Sequence, residues 1–157
     1  MTHEQHTIAG VTVTIRTATA NDAGRLHGYL SRLDRSEREL RLPDKRVPTY
    51  EEIVGAVRHG GVLIALHAER GSELLGESAF TRSGDLAQVE LSVAASWRRR
   101  GLGRLLLASS VEEVSAAGLV RCIAIVDRRN ETAARWFARR GWTQSWDSGR
   151  FVFHHVL

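Results

Sequence analysis

The sequence has few of the residues that cross-link small proteins or bind metal ions. Cys122 is the only cysteine among 157 residues, which excludes an intrachain disulfide and a zinc site built from several cysteines. No apolar run approaches the roughly 20 residues that span a bilayer. The first ten residues are polar and include Glu4, so they lack the apolar core of a signal peptide. These absences predict a cytoplasmic protein that is neither membrane-bound nor dependent on a metal.

The composition is that of a globular domain with a basic surplus. Hydrophobic residues make up 43% of the chain, and its length suits one domain, which we expect over residues 11–157 after a flexible segment at 1–10. The formal net charge is +4, supplied almost entirely by arginine. Such a surplus suits a nucleic acid, a membrane surface or a phosphorylated cofactor, and only the positions of the arginines discriminate among these partners.

The first half of the sequence predicts one strand, two helices and three further strands. Residues 12–17 alternate as in a strand. Thr19 with Asp22, and Thr49 with Glu52, have the spacing of capping boxes that begin the two helices. The three further strands, separated by turn residues, predict an antiparallel meander. They cover residues 62–68, 74–81 and 86–93.

The segment between the two early helices, residues 34–48, is densely charged and holds both prolines, which favours a loop or a short helix.

The second half of the sequence predicts a crossover to a central strand. Residues 120–126 are almost continuously apolar, as in a central strand buried on both faces. The other predicted elements are helices over 102–117 and 131–140 and strands near 142–146 and 150–156. The order β-α-α-β-β-β-α-β-α-β-β indicates a mixed α/β (α+β) sheet with one strand–helix–strand crossover.

Residues 89–107 have the features of an anion site. A strand leads through four arginines and two glycines directly into a helix. The first turn of a helix offers unpaired N–H groups and a positive dipole end, and glycine lets the backbone approach a phosphate closely. The segment lacks the pattern of a Walker-type phosphate loop and the third glycine of a dinucleotide fingerprint. Both of those nucleotide sites are therefore disfavoured.

At this point the sequence resembles the GNAT superfamily of acetyl-coenzyme A-dependent N-acetyltransferases. Its signature Gln/Arg-x-x-Gly-x-Gly/Ala matches residues 98–103, and a second signature matches Asn130, Ala133, Phe137 and Gly141-Trp142. The resemblance covers about residues 11–157 and implies a GNAT-type fold. A looser likeness to the acetyltransferase domain of bacterial protein lysine acetyltransferases lies in Arg16, Asn21-Asp22 and residues 36–42.

The resemblance implies a role for each matched residue. The backbone amides of residues 99–104 would hold the pyrophosphate of acetyl-coenzyme A, and Asn130 would border its pantetheine. The pantetheine would pair with residues 91–93, where the N–H of Val93 would donate to the thioester carbonyl. The implied cofactor-binding residues are Leu91, Ser92, Val93, Arg98, Arg99, Arg100, Gly101, Leu102, Gly103, Arg104, Asn130, Ala133 and Phe137.

The acid–base groups follow the family less closely. Many members place a tyrosine at the position of Phe137 to protonate the departing thiolate, which phenylalanine cannot do. Either another group or solvent serves as the acid, or the enzyme is slow or inactive. Neither Tyr29 nor Tyr50 matches a family position. Glu90 is the leading candidate for the base that deprotonates the amine, and Glu77 is the second. Glu90 is equally well explained as an ordinary carboxylate on the strand surface.

The sequence thus predicts direct acetyl transfer to an amine of a small molecule, a protein lysine or a protein N-terminus. The alternatives are a coenzyme A-binding sensor without catalysis, suggested by Phe137, and a nucleic-acid-binding protein, which the compactness of the arginine cluster disfavours. The acidic residues Asp34, Glu37, Glu39 and Asp44 favour a cationic acceptor, or are solvated surface. Homodimers are common in the family, and nothing in this sequence requires one.

Overall fold

The strands form one eight-stranded sheet. The computed structural model describes residues 3–41, 46–71 and 73–157, so Asp44 and the predicted turn residue Ser72 lie outside the described residues. The strand order is β1-β2-β3-β4-β5-β6-β8-β7. The strands are β1 (His3–Ile8), β2 (Val11–Thr17), β3 (Val62–His67), β4 (Leu74–Ser83), β5 (Leu86–Val93), β6 (Arg121–Asp127), β7 (Thr143–Asp147) and β8 (Arg150–Val156).

Helices cover both faces of this sheet. They are α1 (Ala23–Ser31), α2 (Arg35–Arg41), α3 (Tyr50–His59), α4 (Leu102–Ala116) and α5 (Glu131–Arg139). Apolar residues of α1 and α3 pack on one face, against Ile64 and Leu66 of β3. α4 packs on the other face, where Leu106 contacts the cluster containing Leu63 and Leu75. No helix in the described part of the chain is long and apolar enough to cross a membrane.

The predicted meander and crossover are confirmed. β3, β4 and β5 pair antiparallel in sequence order, and β5 pairs with β6 in parallel through the crossover helix α4. The predicted capping box is present at α3, where the N–H of Glu52 donates to Thr49 Oγ1 at 3.2 Å and the N–H of Thr49 donates to Glu52 Oε2 at 3.2 Å. At Thr19 the same motif begins a short 3-10 turn that leads into α1. These local signals therefore placed the elements correctly.

The N-terminus differs from the expected flexible segment. Residues His3–Ile8 form strand β1, which pairs antiparallel with β2. The two strands are joined at Ala9 and Gly10, whose φ angles of 51° and 78° are those of a two-residue hairpin turn. Only Ile8 of this strand is buried. The apolar pattern was therefore too weak to reveal a strand that backbone pairing stabilises.

A second difference concerns β6, which was expected to be buried on both faces. Cys122, Ala124 and Val126 are buried, whereas Ile123 and Ile125 are half-buried. The helices α1 and α3 on that face pack over β3 and β4 and leave the flank of β6 open. The open flank borders the cleft described next.

Candidate active site

Strands β5 and β6 diverge and leave a wedge-shaped opening in the middle of the sheet. They pair only from Leu86 opposite Arg121 to Gln88 opposite Ile123, although β5 continues to Val93 and β6 to Asp127. The opening is part of a cleft of about 910 Å³ that is lined by both strands, α2, and the starts of α4 and α5. The backbone edges of β5 and β6 beyond the last pair therefore face this cleft.

The amide of Val93 points into the opening. The N–H of Ala94 donates to Leu75 O at 2.8 Å, toward β4. Because successive N–H groups of a strand point to opposite edges, the N–H of Val93 points toward β6. The carbonyl of Val93 accepts a hydrogen bond from Arg98 Nε at 3.3 Å. Val93 therefore presents a backbone donor where the resemblance requires one.

The turn between β5 and α4 aims backbone amides at the same cleft. Arg99 and Gly101 have positive φ angles of 60° and 90°, and Gly101 is the N-cap of α4. A positive φ is costly for a non-glycine residue, so the conformation of Arg99 marks a shaped turn rather than a relaxed loop. The first hydrogen bond along the helix is from the Leu105 N–H to Gly101 O. The N–H groups of residues 102–104 precede it and therefore have no partner within the helix. This arrangement fits a bound diphosphate.

Arginines concentrate positive charge at this end of the cleft. Arg140 lies over the ring of Trp136, with its guanidinium carbon 3.7 Å from the ring centroid. Burial, followed by repulsion from Arg104 and Arg139, lowers the pKa of Arg140 from its ordinary value. A bound anion would relieve this repulsion. Arg140 and Trp136 both line the cleft, and neither was among the candidate residues from the sequence.

The α5 side of the cleft combines a helix cap with an aromatic wall. Asn130 Oδ1 accepts a hydrogen bond from the N–H of Ala133 at 3.1 Å and so caps α5. Phe137 is 7% exposed and stacks on Phe153, with the ring centroids 5.4 Å apart. These contacts give Asn130 and Phe137 structural roles in addition to their places on the cleft wall.

Two carboxylates and a buried arginine lie on the face of β5 that carries α1 and α2. Arg41, the last residue of α2, donates from Nε and Nη2 to Glu77 at 2.8 and 2.9 Å and from Nη1 to Glu90 at 3.0 Å. Burial by itself lowers the pKa of Arg41, but Glu77 and then Glu90 outweigh it and raise that pKa. The structure thus brings both predicted base candidates together, around a cation that the sequence analysis missed.

A hydroxyl pair extends this cluster toward α1. Ser92 Oγ donates to Glu77 Oε1 at 2.8 Å and lies 3.0 Å from the hydroxyl of Tyr29. Burial, followed by the charge of Glu77, raises the pKa of Tyr29 above its ordinary value. Tyr29 therefore keeps its proton at neutral pH. Ser92, predicted to lie beside the pantetheine, directs its side chain to this cluster.

Most of the predicted cofactor residues lie around one cleft. The cleft lining includes Leu91, Ser92, Val93, Arg98, Arg99, Gly101, Leu102, Gly103, Arg104, Asn130, Ala133 and Phe137. Arg100 is the exception, because its guanidinium lies over the ring of Trp97, 4.9 Å from the centroid. Glu90 lines the cleft, and Glu77 lies behind it with 3% of its side chain exposed. Among the described residues, no cluster of three or more potential metal ligands was found.

Solved structures share this architecture. The GNAT domain of Streptomyces lividans PAT superposes with a TM-score of 0.86 at 22% identity, over 99% of this chain and 97% of that one. The PaiA N-acetyltransferase of Thermoplasma acidophilum, solved with coenzyme A, gives 0.72 at 16% identity, over 92% and 99% of the two chains. The N-acetylglutamate synthase of Neisseria gonorrhoeae, solved with coenzyme A and N-acetylglutamate, gives 0.74 at 19% identity, over 92% of this chain and 35% of that one.

A family-model comparison of the sequence agrees with the structural comparison. Among curated proteins, no sequence matches this chain significantly. The family model described as "Acetyltransferase (GNAT) domain" matches residues 58–144, which include the meander, the arginine-rich turn and α5. The match covers more than half of the chain and spans both signatures. The chain therefore belongs to the GNAT acetyltransferase family.

Proposed function

We propose that this protein transfers the acetyl group of acetyl-coenzyme A to an amine by direct attack. The observation that supports this proposal is the place in the sheet at which β5 separates from β6. The cleft at this opening contains the start of α4, whose first N–H groups have no partner within the helix, and the carboxylate of Glu90, with Glu77 behind it. Acetyl-coenzyme A supplies an acetyl thioester attached to a long, phosphorylated carrier, which matches this distribution of groups.

The chain's own residues divide the binding task along the cleft. The N–H groups of residues 102–104 and the side chains of Arg98 and Arg104 bind the pyrophosphate. The free edge of β5 at Leu91 and Val93 pairs with the pantetheine amides. The Val93 N–H then donates to the thioester oxygen as negative charge develops there, a contribution of typically about 3 kcal/mol in such sites.

Glu90 is the proposed base, since it lies at the cleft surface. An alkylamine is mostly protonated at pH 7 and must lose a proton before it attacks. The side chain of Glu90 is 27% exposed, whereas Glu77 is almost fully buried behind it. Glu90 is therefore the carboxylate that an acceptor reaches first. Glu77 holds the neighbouring groups in position through Arg41 and Ser92.

The cleft wall carries Phe137 where many family members carry a tyrosine. The leaving thiolate therefore receives no proton from the side chain at this position. A thiol pKa of about 8.5 makes the thiolate a tolerable leaving group. The rival proposal, a sensor that binds coenzyme A without turnover, draws on the same residue. Kinetics separates the two proposals, because a sensor does not consume acetyl-coenzyme A.

The proposed cofactor site is tested by titrating the purified protein with acetyl-coenzyme A and following its melting temperature. At 100 times the dissociation constant, binding adds about 2.7 kcal/mol of stability, or about 5–10 °C in a domain of this size. A Cβ on Gly103 would lie 3.7 Å from Trp136 and Val93, so Gly103→Ala should be tolerated, whereas Gly103→Glu places a carboxylate in the cleft and should abolish the shift. No shift in the wild-type protein at millimolar acetyl-coenzyme A would rule out the proposal.

The base is tested with Glu90→Gln and Glu77→Gln in a thiol-release assay across pH, using a panel of primary amines. Glu90→Gln should lower kcat about 10²-fold or more and change the shape of the pH–rate profile. An unchanged profile would eliminate Glu90 as the base. Binding of acetyl-coenzyme A without thiol release from any amine would favour the sensor.

A further inference from the structure

The buried Arg41 occupies the space between the two carboxylates of the proposed acceptor site. Its side chain is 11% exposed and satisfies both oxygens of Glu77 and one of Glu90. Gln88 Nε2 lies 3.4 Å from the other oxygen of Glu90. Arg41 also lines the cleft, so no other layer of protein separates it from an incoming molecule.

An arginine in this position opposes the chemistry proposed for Glu90. The guanidinium Nη1 lies 3.0 Å from Glu90 Oε2 and fills the position from which an ammonium group would donate to that oxygen. Direct use of Glu90 as a base therefore requires Arg41 to withdraw. Removing the arginine without a replacement would leave two carboxylates partly desolvated and unpaired, which is costly. A replacement must accordingly be cationic and must donate several hydrogen bonds.

The helix that carries Arg41 is suited to withdrawal. α2 has seven residues, too few to be stable in isolation. Its C-terminal end is fastened by Arg41, and Glu37 forms an ion pair with Arg98. Arg98 belongs to the proposed pyrophosphate site, so the cofactor competes with Glu37 for it. These two contacts of α2 end on groups that the two substrates would engage, whereas Arg38 holds the same helix to the carbonyls of Ser31 and Leu33.

We propose that Arg41 is a built-in occupant of the acceptor position, and that the acceptor is a cationic primary amine whose ammonium displaces it from Glu77 and Glu90. This inference rests on the proposed function and adds to it a competition between Arg41 and the acceptor for the two carboxylates. An alkylammonium carries one positive charge and three N–H donors, so it can take over the hydrogen bonds that Arg41 gives up. The exchange leaves neither carboxylate unpaired. Because the ammonium takes the place of the guanidinium, the amine can transfer its proton to Glu90 only after Arg41 has left.

The displacement is tested by the binding of n-butylammonium chloride, with 1-butanol as a neutral chain of equal length. Calorimetry is run on protein saturated with coenzyme A, which cannot react, and on protein without it. If the open site is a minor state of about 10% or less, Arg41→Gln should bind n-butylammonium about tenfold or more tightly than the wild type. 1-Butanol should show no such gain. Adding Glu77→Gln to Arg41→Gln should remove the gain.

Arg38→Ala is the matched control, because Arg38 lies on the same helix and donates to the carbonyls of Ser31 and Leu33 rather than to the carboxylates. It should bind n-butylammonium as the wild type does. Equal affinity in Arg41→Gln and the wild type, or an equal gain in Arg38→Ala, would overturn the displacement.

A measurement on the wild-type protein covers the case in which Arg41→Gln fails to fold. Amide hydrogen exchange in residues 35–41 should accelerate when n-butylammonium replaces sodium at constant ionic strength, because α2 is released. Unchanged exchange at saturating amine would overturn the inference. Failure of acetyl-coenzyme A to bind would instead overturn the proposed function. The effect of n-butylammonium on hydrogen exchange in α2 is measured separately and does not depend on that result.

Discussion

Two arginine–carboxylate ion pairs of this chain differ in how completely they are buried. Arg16 donates from Nη1 and Nη2 to the two oxygens of Asp22 at 2.8 Å each, and only 4% of the Asp22 side chain is exposed. Asp85 pairs with Arg121 at 3.0 Å, but both side chains are about half exposed or more. Solvent screens the second pair, so only the first should matter for stability.

Asp22→Asn should lower the free energy of unfolding by about 2 kcal/mol at pH 7. Burial by itself raises the pKa of Asp22, but hydrogen bonds from Arg16 and Thr19 outweigh it and lower that pKa. A lowered folded-state pKa gives stability that is present above the unfolded value of about 3.9 and lost as the pH falls through the folded value.

Urea denaturation at pH 7 and at pH 3 measures this effect. The difference between Asp22→Asn and the wild type should shrink at the lower pH. Asp85→Asn serves as the control and should change stability by less than about 0.5 kcal/mol at pH 7. A deficit in Asp22→Asn that is equal at both pH values would contradict the assignment.

The strands β4 and β5 approach each other closely beside the site, and the absence of a side chain at Gly76 makes this approach feasible. A Cβ on Gly76 would lie 2.9 Å from the carbonyl oxygen of Ser92 and 3.0 Å from Leu106 Cδ1. The carbonyl belongs to the backbone of β5 and cannot rotate away. Gly76 therefore fixes the distance between the strand that carries Glu77 and the strand that carries Val93.

Gly76→Ala should destabilise the protein by about 1–3 kcal/mol and weaken acetyl-coenzyme A binding, because β5 must shift at Ser92 and Val93. Gly55→Ala in α3 is the matched control, since a Cβ there meets nothing within 4 Å and alanine favours the helix by up to about 1 kcal/mol. Thermal melts with and without acetyl-coenzyme A measure both effects. Equal stability of the two variants would show that the strands tolerate the added methyl group.

The whole molecule depends on its C-terminal strand, which inserts between β6 and β7. β8 pairs with β6 along seven residues, and Phe153 of β8 is fully buried. Phe153 stacks on Phe137 of α5, which also contacts Trp142 with ring centroids 5.1 Å apart. This aromatic cluster joins the last strand to the wall of the cleft.

Phe153→Ala should destabilise the protein by about 3–5 kcal/mol and lower the melting temperature by about 10 °C. Trp146→Ala removes a larger ring that is 57% exposed at the sheet edge, and it should cost less than about 1 kcal/mol. Differential scanning calorimetry compares the two variants. Similar losses in both would mean that burial in this cluster does not determine stability.

The local elements and the arginine-rich turn before α4 were predictable from the sequence because their signals lie within a few residues of one another. The capping box of Thr49 and Glu52 and the turn that leads to α4 depend on neighbours along the chain. Strand β1 was missed because its side chains are mostly polar or half-exposed and its pairing with β2 is a backbone property.

The sequence by itself determined the order of the elements from β2 onward apart from the short helix α2, the family resemblance, and the position of the arginine-rich turn at the start of α4. Only the tertiary structure decided where β5 and β6 separate and which cation lies between Glu77 and Glu90. Arg41 is 36 residues from Glu77 and 49 from Glu90, so no local pattern links them. The sheet places the two carboxylates on adjacent strands. Because buried charges are costly unless they are paired, a cation must lie between them, and the fold brings it from a distant part of the sequence.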